Sequence, residues 1–161
     1  MLKMRNLRPQ RATFATAAVV AGVVGGVAGG PSMAWAAALP PVQMQGPVAY
    51  LTGGVGQEQA HAIETEAAKW PVMLEFTVKD RQPRHEAFLS NVAVQILDAK
   101  KTVVLDTHSD GPFVLARLQP GRYEVKATFD GRTMTRTMHV AGKATAREVF
   151  VWPHGAEKAG G

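Results

Sequence analysis

The chain of 161 residues has no cysteine. No disulfide can form, so whatever folds must be held by packing. The same absence rules out the lipid-carrying cysteine of a bacterial lipoprotein. A basic stripe is missing as well. The formal charge is +5, but Lys3, Arg5, Arg8 and Arg11 supply four of the 18 basic residues, and the rest of the chain carries 14 basic against 13 acidic residues, a net of +1. Affinity for nucleic acid comes mostly from neutralised phosphates, so a nearly neutral domain is a poor partner for it, and nucleic acid is excluded. Internal repeats are absent too.

What is present begins with an address. Lys3, Arg5, Arg8 and Arg11 form a positive segment, and no residue from Ala12 to Gly30 is charged. Phe14, Val19, Val20, Val23, Val24 and Val27 make that stretch apolar, and Ala34-Trp35-Ala36 or Ala36-Ala37-Ala38 offers small residues at signal-peptidase spacing. Charge, apolar run and A-x-A site together form the signal-peptide pattern, without a twin arginine. The stretch approaches the ~20 residues a membrane anchor needs, but Gly22, Gly25, Gly26, Gly29, Gly30 and Pro31 dilute it. The expectation is a leader over 1–36, cleaved at Ala36 or Ala38, and a periplasmic or secreted product with no stable membrane insertion.

The roughly 125 residues that follow suit one domain with one core. Residues 37–46, uncharged and carrying Pro40, Pro41 and Gly46, read as an extended linker. Residues 154–161 are rich in Gly and Ala and read as a disordered tail. Between Gln57 and Lys69 there is neither Gly nor Pro, and Ala60, Ile63, Ala67 and Trp70 share one helical face. Pro71 ends that helix. Beyond it the period falls to two. Leu74, Phe76 and Val78 alternate with polar residues, as do Val92, Val94 and Ile96, and then Tyr123, Val125, Ala127 and Phe129. Asp130-Gly131 is the preferred pair for a two-residue hairpin. About seven short strands with turns every 8–12 residues predict a β-sandwich over 47–153, with the helix packed on one face or end.

Three strings carry a resemblance: Val92-Ala-Val-Gln-Ile-Leu-Asp, Asp110-Gly-Pro-Phe-Val-Leu, and Leu118-Gln-Pro-Gly-Arg-Tyr-Glu-Val. Together they resemble the carboxypeptidase regulatory-like domain over roughly Phe88 to Trp152. The resemblance implies a transthyretin-like (prealbumin-like) sandwich and an accessory, non-catalytic binding role. The segment Tyr50 to Val78 is outside the usual module and looks like the leading part of small exported proteobacterial proteins that carry it.

Each chemical motif has a plainer explanation beside it. His61-Ala-Ile-Glu64 matches the H-x-x-E zinc pair of metallocarboxypeptidases, but zinc needs a third ligand, and His85, His108, His139 and His154 have no diagnostic spacing. Gly53-Gly54-Val55-Gly56 before a helix resembles phosphate-binding loops, yet no Lys-Ser/Thr follows. His108-Ser109-Asp110 holds three triad residue types, but adjacent residues cannot converge on one reacting atom. Met134, Met138 and His139 suggest copper, though the methionines share a strand face that His139 does not. The Tyr-Arg-Gly-Ser terminus of 5-hydroxyisourate hydrolase, which shares the transthyretin fold, is absent. Trp70, Trp152 and Tyr50 are possible binding aromatics, or the rim of a core.

The sequence therefore points to an exported, non-catalytic module that binds a protein or polymer of the cell envelope, without cofactor, metal or catalytic residue. Gly53, Gly54 and Gly56 are its candidate contact surface, because functional residues concentrate on loops. The alternatives are a small metal-binding or metal-dependent hydrolytic protein using His61 and Glu64, and a structural subunit of an envelope assembly.

Overall fold

Where apolar residues alternate two by two, the backbone is extended, and the pairing of these strands builds two sheets. A computed structural model describes residues 38–79 and 86–155. The expected leader, the polar loop around Pro83 and residues 156–161 lie outside the described residues. Among those described are ten strands and one helix: β1 (Gln43–Gln45), β2 (Val48–Gly53), α1 (Gln57–Ala67), β3 (Val72–Lys79), β4 (Glu86–Phe88), β5 (Ala93–Leu97), β6 (Val103–His108), β7 (Phe113–Ala116), β8 (Gly121–Phe129), β9 (Arg132–Val140) and β10 (Ala146–Trp152). No helix among them is long and apolar enough to cross a membrane.

The first sheet runs β1-β2-β7-β3-β10, with β4 also paired to β3; the second runs β6-β5-β8-β9. The β8–β9 hairpin stays in register from Phe129↔Arg132 to Gly121↔Val140. Its two-residue turn places Asp130 at φ 47° and Gly131 at φ 71°, the left-handed pair that matches strand twist. Register sends Val125, Ala127, Met138 and Val140 inward, where all four are buried. They meet Val72, Leu74, Phe76 and Val78 of β3 and Phe150 and Trp152 of β10 in the inter-sheet core.

The helix covers the other face of the first sheet. Ala60, Ile63, Ala67 and Trp70 pack on Leu51, Met73, Phe113 and Leu115. β3 and β7 are thus covered on both sides, which explains the nearly unbroken burial of Val72–Val78 and Phe113–Ala116. Three layers result: helix, six-stranded sheet, four-stranded sheet. β3 and β10 are parallel, from Ala146↔Val72 to Trp152↔Val78, a pairing that needs a long crossover.

Three expectations are corrected. The strand count is ten among the described residues, not about seven, because β1 and β4 have three residues each and carry no alternation to read. β1 lies inside the expected linker 37–46. Its residues are exposed on both faces, so nothing but backbone pairing and two glutamines betrays it. Gln43 Oε1 accepts from Tyr50 Oη at 3.0 Å, and Gln45 Oε1 from the Asp106 N–H at 2.6 Å. The helix stops at Ala67, two residues before Lys69, and the chain tightens into a turn in which the Lys69 N–H reaches Glu66 O and the Trp70 N–H reaches Ala67 O, each at 2.9 Å.

Candidate functional site

Between β2 and α1 the glycine run must turn the chain sharply. Gly54 sits at φ +100° and Gly56 at φ +84°, conformations an L side chain disfavours. Gly53 and Gly54 are buried and only Gly56 is exposed. A Cβ on Gly53 would lie 2.5 Å from Pro40 Cγ, and one on Gly54 would overlap the Phe113 ring. Gly111 presses its backbone on that of Gly53, with no room for a side chain. Gln59 Oε1 accepts the N–H groups of Gly54 at 2.9 Å and Val55 at 3.1 Å. The Gly53–Gly54 half of the expected contact turn is therefore an internal joint, while Val55 and Gly56 are exposed. Its donors face a side chain of its own helix, which removes both the phosphate-cradle reading and the use of Gly53 and Gly54 as a surface.

His61 and Glu64 lie on the exposed side of α1. Among the described residues no group of three or more His, Asp or Glu could hold a metal ion. His108 and His139 are exposed on separate strands, and His85 is outside the described residues. In His108-Ser109-Asp110 the serine is buried and acts as a clasp. Its Oγ accepts the Val92 N–H at 3.0 Å, and its own N–H donates to Val92 O at 2.9 Å. The Asp110 N–H donates to Thr52 Oγ1 at 2.8 Å. Met138 is buried in the core, Met134 packs against it, and His139 points to the other face.

The aromatics divide. Trp152 is fully buried among Phe76, Phe129 and Phe150, with ring centroids 6.0–6.3 Å away, and its Nε1–H reaches Arg132 O at 3.3 Å. Tyr50 is also buried. Trp70 is 3% exposed, and the Arg117 guanidinium lies over its ring at 4.3 Å.

Strand pairing creates a surface that no motif announces. The outer face of the four-stranded sheet has no covering layer among the described residues. Gln95, Asp106, Lys126, Thr128, Thr133 and Thr135 line a shallow hollow of about 570 Å3 there. Registers of β5, β6, β8 and β9 align Asp106, Gln95, Lys126 and Thr135 in one row. Gln95 Nε2 donates to Asp106 Oδ2 at 2.9 Å, and the Thr128 and Thr133 hydroxyls are 2.7 Å apart. Glu124, in the next row, is ion-paired to Lys101 and lies 3.6 Å from Lys126. The Lys101 hydrogen bond, aided by both lysine charges, holds the Glu124 carboxyl below the usual carboxylate range. These are the polar halves of alternating strands. The signal for them was in the sequence, but which strands lie side by side was not.

No family model matches the chain, and no curated protein does. A solved structure described as S.CueP is 13% identical with a TM-score of 0.35. The alignment covers 48% of this chain and 59% of that one, so this chain spans less than two thirds of its length.

Proposed function

We propose that the chain is an exported, non-catalytic binding module of the carboxypeptidase regulatory-like, transthyretin-like kind, which holds a protein or polymer of the cell envelope. The observation that carries this reading is the asymmetry of the layers. One outer face of the sandwich is closed by α1, and the other, on the four-stranded sheet, is left open and polar. A shallow hollow lined by hydrogen-bonding side chains suits an extended polar partner better than a small substrate, which would need a largely apolar pocket. The Leu118-Gln-Pro-Gly-Arg-Tyr-Glu-Val string supports the family reading. It spans the β7–β8 turn and enters β8, where Val125 is buried, while Tyr123 donates its hydroxyl proton to Gln119 O at 2.9 Å. The charged, apolar and small-residue order of 1–36 supports export.

A photo-crosslinking residue placed at Thr135 in the full chain, in a Gram-negative host, tests the reading. A discrete adduct at Thr135 that is absent from the same probe at His61 is expected, in the periplasmic fraction. The same adducts at both positions, or none at either, would overturn it. The intact mass of the exported product tests the leader: a chain beginning at Ala37 or Leu39 is expected, and one retaining Met1 or Leu2 would count against export by cleavage.

A further inference from the structure

Three turns meet at the end of the helix. Ala68–Pro71 follows α1, Arg117–Pro120 joins β7 to β8, and Gly142–Thr145 joins β9 to β10. Between them lies a cleft of about 330 Å3. Thr145 fastens the group, because its Oγ1 lies 3.0 Å from Ala67 O and 2.8 Å from Trp70 O. With the Lys69 and Trp70 N–H groups turned back on Glu66 O and Ala67 O, carbonyls at the helix end are occupied. This blunts the negative pole that would otherwise repel an anion.

The charge lining the cleft has one sign. Lys69, Arg117 and Lys143 contribute to its wall, and no Asp or Glu does. Lys69 is already committed to Glu66 at 2.7 Å. That hydrogen bond is the chief reason the Glu66 carboxyl stays below its usual range, with smaller help from the Trp70 indole and Arg117. Arg117 and Lys143 have no carboxylate within ion-pair distance among the described residues.

Arg117 is also held in a particular way. Its guanidinium carbon lies over the Trp70 ring, a contact that leaves guanidinium N–H groups for other partners. A guanidinium edge matches the two oxygens of a carboxylate. Trp70 is itself part of the wall, and among the described residues its buried Nε1–H has no acceptor at hydrogen-bond distance and angle. Glu66 is near enough for the indole to help lower its carboxyl. Beside the cations the wall is apolar, formed by Pro71, Leu118, Pro120 and Ala144.

We infer that this cleft binds a carboxylate carrying an adjacent apolar group. Arg117 takes the two oxygens, Lys143 supplies the second positive charge, and the proline and leucine wall receives the apolar group. Two sources share this chemistry, the free end of a peptide chain and a small branched carboxylic acid. The cleft has no lining residue in common with the open sheet face, so either site can fail without the other.

The test is a titration of the 15N-labelled full chain, following the Trp70 indole N–H resonance, which the Trp70→Phe variant assigns. The probes are acetyl-Ala-Ala-Leu with a free carboxylate, the same peptide as its C-terminal amide, isovalerate, and inorganic phosphate. A saturable shift is expected with the free-acid peptide and none with the amide. Arg117→Gln should weaken binding about tenfold or more, the loss of one bidentate pair. Lys79→Gln, at the far end of β3 from Pro71 and outside the cleft wall, should change it by less than about twofold. Isovalerate binding as tightly as the peptide identifies the small acid as the ligand; much weaker binding identifies the chain end. No saturable shift with either acid, an equal response to the amide, tighter binding of phosphate, or an unaffected Arg117→Gln variant would overturn the assignment.

Discussion

At Gly54 two independent constraints coincide: φ of +100° and the Phe113 ring where a Cβ would go. Gly56 shares only the first, with φ +84° and open space around it. Substitution with alanine separates them. Gly56→Ala should cost about 1–3 kcal/mol, because φ 84° with ψ 155° is a region essentially reserved to glycine, and Gly54→Ala about 1–3 kcal/mol more, because overpacking adds to strain. Urea unfolding measures both, and equal losses would contradict the packing of Phe113 on this turn. The glycine run was legible as a place needing unusual backbone. Its burial was not, because Pro40 and Phe113, which cover it, are remote in sequence. Gly111 carried no signal, since its need for a bare Cα arises only when β7 lies beside β2. Trp70 and Trp152 were equally opaque. Both precede a proline, yet one lines a cationic cleft and the other is sealed between sheets.

Among the elements, the β8–β9 hairpin was the most readable, because alternation and an Asp-Gly turn act within twenty residues. The helix was readable for the same local reason, and its end was misplaced by two residues because the tightened turn at Ala68–Trp70 depends on Thr145. The parallel β3–β10 pair could not be read, since each strand's apolar half would suit many neighbours. The row that the hairpin shares with Lys101 gives a testable pH dependence. Glu124 has a folded pKa below its unfolded one, chiefly through the Lys101 hydrogen bond. Its contribution is therefore fully present above the usual carboxylate range and is lost as pH falls through the folded value. Glu124→Gln should lower the thermal midpoint slightly near neutrality and reduce the drop between neutral and acid pH, leaving the two proteins alike at the acid end. The pair is exposed, so the effect is small. A variant whose acid-side slope is unchanged would show that the pair contributes nothing.

For the whole molecule the question is whether three layers act as one body without a disulfide to join them. The helix-side cluster and the inter-sheet cluster have no side chain in common. They do share three strands. In β2, Leu51 faces the helix while Val48 and Tyr50 face the second sheet. Met73 faces the helix while Val72 and Leu74 face the second sheet, and Phe113 and Leu115 face the helix while Val114 and Ala116 do not. Loosening either layer therefore exposes one face of a strand whose other face is still packed, an arrangement that favours joint unfolding. The two tryptophans report on the layers separately, Trp70 on the helix side and Trp152 between the sheets. In Trp152→Phe and Trp70→Phe variants, fluorescence from the remaining core tryptophan should follow the same transition as far-UV circular dichroism, with one midpoint within each variant. Adding Phe76→Ala, which removes a fully buried ring 5.8 Å from Phe150, should lower stability by about 3–5 kcal/mol. It should also move the Trp70 signal as far as the circular dichroism, although Phe76 belongs to the other cluster. A Trp70 transition that stays in place while the sheets unfold would mean that the helix layer is a separate unit, and that β2, β3 and β7 do not couple the layers.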